Sequence, residues 1–196
     1  AKPARGPNAP GHRVLIVEDN ADLRGYITDI FEREGYDVVT AEDGEAGIKA
    51  TRSRKPDLII TDLMMPRLSG LEMIGRIRQM PGFNSIPIVL LTAKADEGTR
   101  ADVRHAGADD YLSKPFSDME LLSIVRNIFG LKKRERELQR DLEHARRIQQ
   151  DLLPSSVPDL PGLDLVAIYH PMEEVGGDLY DFVEFPDGRL GVFMAD

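Results

Sequence analysis

The sequence predicts an α/β fold: a doubly wound, five-stranded parallel sheet, then a long C-terminal helix with a coiled-coil seam, then a partial β segment. Three observations predict it. Short Val/Ile/Leu runs, among them Val14–Val17, Leu58–Thr61 and Ile88–Leu91, alternate with segments of helical period. Strands read as unbroken apolar runs when helices cover both faces of a parallel sheet. No proline interrupts residues 121–153, and Gly130 is the only glycine there. After Pro154 the pattern changes to β-type runs set between Gly and Asp.

Val14–Val17 reads as the first strand, and Ala21–Arg33 as a helix with Leu23, Ile27, Ile30 and Phe31 on one face. Tyr36–Thr40 is β-rich and Glu45–Arg52 helical. Leu58–Thr61 is a strand, and a helix is expected over Gly70–Gln79. Ile86–Thr92 is the fourth strand, Thr99–Ala106 a helix and Asp110–Leu112 a short strand. A last helix begins near Ser117 and ends at Pro154. Beyond it, Asp164–Tyr169 and Leu179–Phe185 are strand-like, and Asp187-Gly188 signals a hairpin into Leu190–Met194.

Composition narrows the classes of function. Hydrophobic residues are 41% and charged residues 30% of the 196, a mix that supports packed cores. No apolar run approaches the ~20 residues of a membrane span. The Pro/Gly-rich residues 1–12 predict a disordered tail and hold no apolar core for a secretory signal. Cysteine is absent, which excludes disulfides, zinc–thiolate sites and cysteine nucleophiles and fits a cytoplasmic protein. The net charge is −9, and nearly all of it lies after residue 153, where nine acidic residues face Arg189 alone. That segment suits a cation and not nucleic acid.

The chemistry-bearing residues fall at strand ends. Glu18 and Asp19 follow the first strand, Asp62 ends the third, Thr92 the fourth, and Lys114 follows the fifth. Singly, a strand-end Asp or Thr is an ordinary cap. In a parallel sheet these ends converge at one edge. Three carboxylates without His or Cys call for a hard cation such as Mg²⁺. A lysine and a hydroxyl facing them can hold phosphoryl oxygens, and an Asp beside bound metal can act as a phosphoryl-accepting nucleophile.

Four segments carry a resemblance: Val14-Leu15-Ile16-Val17-Glu18-Asp19-Asn20, the run from Asp62-Leu63-Met64-Met65-Pro66 to Gly70, Leu91-Thr92-Ala93, and Tyr111-Leu112-Ser113-Lys114-Pro115-Phe116. Together they resemble the receiver domain of two-component response regulators, which has a flavodoxin-like fold, over residues 13–130. The resemblance implies that Asp62 is the phosphoacceptor and that Glu18, Asp19, Asp62 and the Met64 backbone carbonyl bind Mg²⁺. It implies that Thr92 and Lys114 contact the phosphoryl group, that Tyr111 is a switch aromatic turning inward with Thr92, and that Lys114-Pro115 is cis. The implied partner is a sensor histidine kinase or a phosphotransfer protein.

A heptad seam starts at Ile128 and continues through the linker helix, residues 131–153, as Leu131, Glu135, Leu138, Leu142, Ala145, Gln149 and Leu152, between charged flanks. So narrow a stripe predicts a parallel homodimeric coiled coil, the plain alternative being a solvated linker.

The second constellation is Gly176-Gly177-Asp178 with Asp196 at the end of the hairpin's return strand. On chemistry alone, a turn aspartate and a chance terminus remain open. With Arg146-Arg147-Ile148-Gln149-Gln150-Asp151-Leu152-Leu153-Pro154 and Pro161-Gly162-Leu163, however, residues 154–196 resemble the N-terminal fragment of a phosphatase 2C-like, SpoIIE-type protein serine/threonine phosphatase. The resemblance implies that Asp178 and Asp196 are metal ligands for Mn²⁺ or Mg²⁺ and that a metal-activated water attacks a phosphoserine or phosphothreonine. The family's later ligands do not follow, so this chain is expected to lack phosphatase activity by itself.

The expected whole is a response regulator whose receiver controls a metal-dependent phosphatase through a dimeric helix, acting on a phosphorylated regulatory protein such as an anti-sigma-factor antagonist. The alternative is a phosphorylation-switched binding adaptor with an inactive phosphatase-like segment. Direct nucleic-acid binding is not expected, since nothing after Lys133 reads as helix-turn-helix.

Overall fold

The structure, a computed structural model, describes residues 11–93, 105–159, 161–162, 164–170 and 176–196. Residues 1–10 of the tail expected over residues 1–12, most of the helix expected at Thr99–Ala106, and Leu163 lie outside the described residues. The chain divides into two units, Ala1–Ile128 and Phe129–Asp196.

The first unit is built on β1 (Arg13–Val17), β2 (Asp37–Ala41), β3 (Leu58–Asp62), β4 (Ile88–Thr92) and β5 (Asp110–Ser113). All neighbours are parallel, in the order β2-β1-β3-β4-β5. The doubly wound parallel sheet expected from the apolar runs is the fold observed. The strand order reverses between β1 and β3, so a crevice opens at their carboxyl ends, where open α/β sheets place ligands.

Strand residues alternate between two buried faces. Leu15, Val17, Ile59, Ile88 and Leu90 join Met73, Ile74 and Ile77 of helix α3 (Gly70–Arg78) in one cluster. The alternate residues Val14, Ile16, Leu58, Ile60, Val89 and Leu91 are equally buried, as are Ile27, Ile30 and Phe31 of helix α1 (Ala21–Arg33). Each such side chain contributes about 1.5–3 kcal/mol relative to exposure, which fixes strand register and with it the strand ends.

The helices start where their caps dictate. Asn20 accepts from the Leu23 N–H at 3.0 Å to open α1. Asp43 accepts from the Ala46 N–H at 2.8 Å to open helix α2 (Gly44–Arg54). Ser69 and Glu72 form a capping box at α3, and Ser117 and Glu120 exchange the same bonds at the start of the long helix, Asp118–Leu152. Leu121, Leu122 and Val125 of that helix are buried, and its root is tied to α1 by a Tyr26–Asp118 hydrogen bond and an Arg126–Glu34 ion pair at 2.6 Å. The Lys114-Pro115 bond is cis.

In the second unit β6 (Leu179–Glu184) and β7 (Leu190–Ala195) pair antiparallel, Leu179 opposite Ala195. The turn holds three residues where an Asp-Gly pair usually makes a two-residue loop: the Phe185 N–H bonds to the Arg189 carbonyl at 2.8 Å, leaving Pro186, Asp187 and Gly188 between them, with Gly188 at φ 82°. The strand expected at Asp164–Tyr169 is not formed; residues 164–170 have no regular structure. The segment joins neither edge of the two-stranded sheet, and with Val166 and Ile168 80% and 76% exposed, no apolar burial holds it in a strand. Among the described residues no helix is long and apolar enough to cross a membrane.

Asp43 tests the caps. Its side chain is buried, and the Ala46 N–H, then the Arg67 guanidinium, hold its carboxyl below the usual carboxylate range. Asp43→Ala is expected to destabilise the fold by about 1–2 kcal/mol at pH 7 in urea melts. Asp43→Asn keeps the cap and should cost less. A depressed folded pKa gives stability that is present above the unfolded value of about 3.9 and lost as pH falls through the folded one. The gap between wild type and Asp43→Asn should therefore narrow as the pH is lowered past about 4.

Candidate functional site

The carboxyl ends of β1, β3, β4 and β5 each deliver one group or pair. Glu18 and Asp19 follow β1 directly, and Glu18 remains tied to the sheet through its N–H to the Ala41 carbonyl at 3.2 Å. Asp62 is the last residue of β3, Thr92 of β4, and Lys114 follows β5. One carboxylate oxygen from each of Glu18, Asp19 and Asp62 lies within 4.8 Å of the others. Glu18 is 1% and Asp62 8% exposed, while Asp19 faces solvent.

Lys114 bridges the two buried carboxylates and offsets one of their two charges. Its Nζ donates to Glu18 Oε2 and lies against Asp62 Oδ1, both at 2.9 Å. Burial pushes the Glu18 carboxyl up; the Lys114 hydrogen bond opposes this and the Asp62 charge adds to it. Burial pulls the Lys114 ammonium down, but bonds to Asp62 and Glu18 outweigh it and hold Lys114 above the ordinary lysine value. Asp19 has no ion pair among the described residues. The donor set is all oxygen, small and strongly anionic, which fits Mg²⁺ with water filling its remaining positions.

Thr92 is fully buried, and its carbonyl accepts the Lys114 N–H at 2.7 Å, so β4 sets the root of the lysine. Tyr111 stands opposite Leu90 in the sheet and is half-buried against the α3-side cluster. Met64 lies two residues past Asp62 with its side chain 75% exposed.

The loop after Asp62 is held by residues to which the sequence reading gave no role. A Cβ on Gly70 would lie 2.1 Å from the Asp62 carbonyl oxygen, so only glycine lets α3 start against that backbone. The Gly70 N–H also bonds to the Leu63 carbonyl at 2.9 Å. Arg67, in the left-handed region at φ 68°, pairs with Asp43, and Gly44 packs on Leu68, where a Cβ would meet the Leu68 carbonyl at 2.6 Å. Glycine followed by a helical run was the available signal for Gly70; the Arg67–Asp43 pair, 24 residues apart, left none.

The second constellation is also assembled locally. Asp178 precedes Leu179 and Asp196 follows Ala195, and these two strand residues are paired, so both carboxylates sit at one end of the hairpin. A Cβ on Gly177 would stand 3.6 Å from Asp196 Oδ1. Both aspartates are exposed, and no third carboxylate joins them among the described residues. Two exposed carboxylates alone are too few donors to hold a metal. Gln149 does not face outward as a seam residue: its side-chain amide accepts the Gly176 N–H at 3.0 Å and donates to the Gly176 carbonyl.

Residues 14–126 match the response regulator receiver domain family, and the chain belongs to that family. It is 46% identical over 140 residues to hybrid signal transduction histidine kinase D of Dictyostelium discoideum, 71% of this chain and 9% of that protein. It is 40% identical over 116 residues to the alkaline phosphatase synthesis transcriptional regulatory protein PhoP of Bacillus subtilis, 59% of this chain and 48% of that one. The chain thus spans less than half the length of either relative. Among solved structures, the receiver domain of sensor histidine kinase PA1611 from Pseudomonas aeruginosa, with magnesium in its active-site cleft, matches at TM-score 0.58 and 33% identity, covering 62% of this chain and 99% of that one. Chemotaxis protein CheY4 of Vibrio cholerae matches at TM-score 0.58 and 28% identity, covering 60% and 98%.

The loop constraint is testable at Gly70. Gly70→Ala overpacks a rigid contact and is expected to cost about 1–3 kcal/mol in thermal or urea unfolding. It should also shift the backbone amide resonances of Asp62 and Leu63, because the clash falls on the peptide that joins them. Gly75→Ala, which meets nothing within 4 Å, is the matched control and should be neutral or mildly stabilising.

Proposed function

We propose that this chain is a response-regulator module phosphorylated on Asp62, with a sensor histidine kinase or phosphotransfer protein as donor. The observation that carries the reading is the bridge from Lys114 to Glu18 and Asp62 beside the third carboxylate, Asp19.

An Asp62 carboxylate oxygen attacks phosphorus; the bond from phosphorus to the donor's imidazole nitrogen, or to the oxygen of a small phosphodonor, breaks; the donor leaves with the electron pair. Lys114 moves its hydrogen bond from the free carboxylate to a phosphoryl oxygen, and the Thr92 hydroxyl takes another. Glu18, Asp19, Asp62 and the Met64 carbonyl would hold Mg²⁺, which supplies charge neutralisation for the transferring group. Phosphoryl transfer of this kind rests on positioning and electrostatics. Thr92 and Tyr111, on adjacent strands, are the residues whose rearrangement would report the new charge.

The output reading is a metal-dependent protein serine/threonine phosphatase, to which Asp178 and Asp196 contribute metal ligands for Mn²⁺ or Mg²⁺. It acts on a phosphorylated regulatory protein of the anti-sigma-factor-antagonist kind. Its support is the Gly-Gly-Asp turn beside Asp196 and the sequence resemblance of residues 154–196. The relatives include kinases and transcription regulators, so family membership speaks to the input and not to the output. The long helix carries the signal, paired in parallel with a second copy. Leu131 and Leu138 are 63% and 62% exposed along its seam, and apolar residues spaced so on a helix are covered by pairing.

Acetyl phosphate with Mg²⁺ should add one phosphoryl group by intact mass, and Asp62→Asn should abolish it. Labelling that survives in Asp62→Asn, or proceeds with Mg²⁺ chelated, overturns the assignment. The output is tested by phosphoserine hydrolysis by the natural protein with Mn²⁺, with and without acetyl phosphate; Asp178→Ala should remove it.

For the helix, Leu131→Glu with Leu138→Glu places like charges in both strands of the seam. Each leucine pair buried there contributes a few kcal/mol, at about 1.5–3 per side chain. Sedimentation should show a dimer for wild type and a monomer for the double variant, with labelling of Asp62 unchanged. A dimer that survives places the contact elsewhere.

A further inference from the structure

Arg24 lies one turn into α1 and reaches back over the β1–α1 turn. Its Nη1 donates to the Glu18 carbonyl at 2.6 Å and to the Asp19 carbonyl at 3.2 Å. These are the peptide units on either side of the Asp19 Cα. Holding both fixes the backbone rotation that aims the Asp19 side chain. Glu18 and Asp62 have Lys114 to orient them, whereas the exposed Asp19 has no ion pair among the described residues. The turn is further closed by the Asn20 N–H bonding to Glu18 Oε1 at 3.3 Å. The same guanidinium thus anchors the two residues that supply two of the three clustered carboxylates.

We propose that Arg24 is a positioning residue of the acidic pocket: it clamps the Glu18 and Asp19 carbonyls and so sets the pocket's affinity for a divalent cation. This rests on the reading of the pocket as a Mg²⁺ site. Two effects of the residue have opposite signs. A guanidinium near the pocket repels a cation, so removing its charge should tighten Mg²⁺ binding. Removing the clamp lets the Asp19 carboxylate swing and should weaken it. The groups that orient metal ligands are commonly worth ten- to a hundredfold in affinity, so positioning is the larger effect. Lysine keeps the charge and has donors for both carbonyls, but its Nζ ends one bond short of the position of Nη1 and is not held in a guanidinium plane, so it clamps the turn less firmly.

The experiment is Mg²⁺ titration by calorimetry on the full chain, together with amide hydrogen exchange in metal-free protein. Arg24→Ala should weaken Mg²⁺ binding about tenfold or more, with Arg24→Lys in between. Arg33→Ala, the same charge change at the far end of α1, should stay within about twofold of wild type. The Asn20 amide, which bonds to Glu18 Oε1 across the clamped turn, should exchange faster in Arg24→Ala without metal. Arg24→Ala binding Mg²⁺ as tightly as wild type or tighter overturns the proposal, as does unchanged Asn20 exchange. If Arg24→Ala does not fold, Arg24→Lys decides by the same two readouts. Asp19→Asn separates the two readings: if wild type binds no Mg²⁺ that Asp19→Asn removes, the Mg²⁺ reading fails and the affinity proposal with it, whereas Asp19-dependent binding indifferent to Arg24 sinks the clamp alone.

Discussion

Two carboxylates, Glu18 and Asp62, are enclosed side by side at the end of the sheet, and the domain around them is arranged so that Lys114 stands between them. Buried like charges repel, and breaking a buried pair by removing its partner costs about 3–5 kcal/mol. The lysine is therefore structural in the resting protein. Its requirements run outward: it must leave β5 at the level where β3 and β1 end, which the Thr92–Ser113 register and the Lys114 N–H to Thr92 bond secure. The register in turn rests on the alternating buried rows of Val, Leu and Ile. A one-residue slip in β4 or β5 would turn those rows to the wrong face and move the ammonium by more than 3 Å, about one residue's rise.

The loops over the pocket are fixed by a different kind of constraint. Gly70 and Gly44 are sites where backbone meets backbone too closely for a Cβ, and Arg67 adopts a left-handed conformation that costs about 1 kcal/mol in isolation. Asp43 offsets this by capping α2 and pairing with Arg67 at once. The chain after Asp62 is thus pinned from two helices. Rigid loops hold catalytic geometry without help from a ligand, which a site that works by charge placement requires.

The sheet was legible in the sequence because parallel strands covered on both faces leave unbroken apolar runs, and their ends place Glu18, Asp19, Asp62, Thr92 and Lys114 at one edge without any knowledge of contacts. The contacts themselves were not legible. Arg67–Asp43 and Arg24 with the Glu18 and Asp19 carbonyls depend on how loops bend, and one arginine among many charged helix residues reads as a solvated face. Asp164–Tyr169 shows the opposite failure. Its β-branched, aromatic run has the local preference of a strand, but that preference is realised only where the side chains pack on a neighbour, and Val166 and Ile168 are exposed.

Gln149 brings the same lesson to the long helix. Heptad spacing assigns it to the seam, yet its amide meets both backbone groups of Gly176, one residue before Gly177-Asp178. A seam residue engaged in an intrachain contact is not free to face a second helix, whereas Leu131, Leu138 and Leu152 of the same stripe are exposed. The root of the helix is held by Leu121, Val125 and two polar ties to α1, while Leu131 and Leu138 further along it are exposed. Two arrangements of a helix that lie within a few kcal/mol of each other are exchanged by a change of that size at the site that roots it.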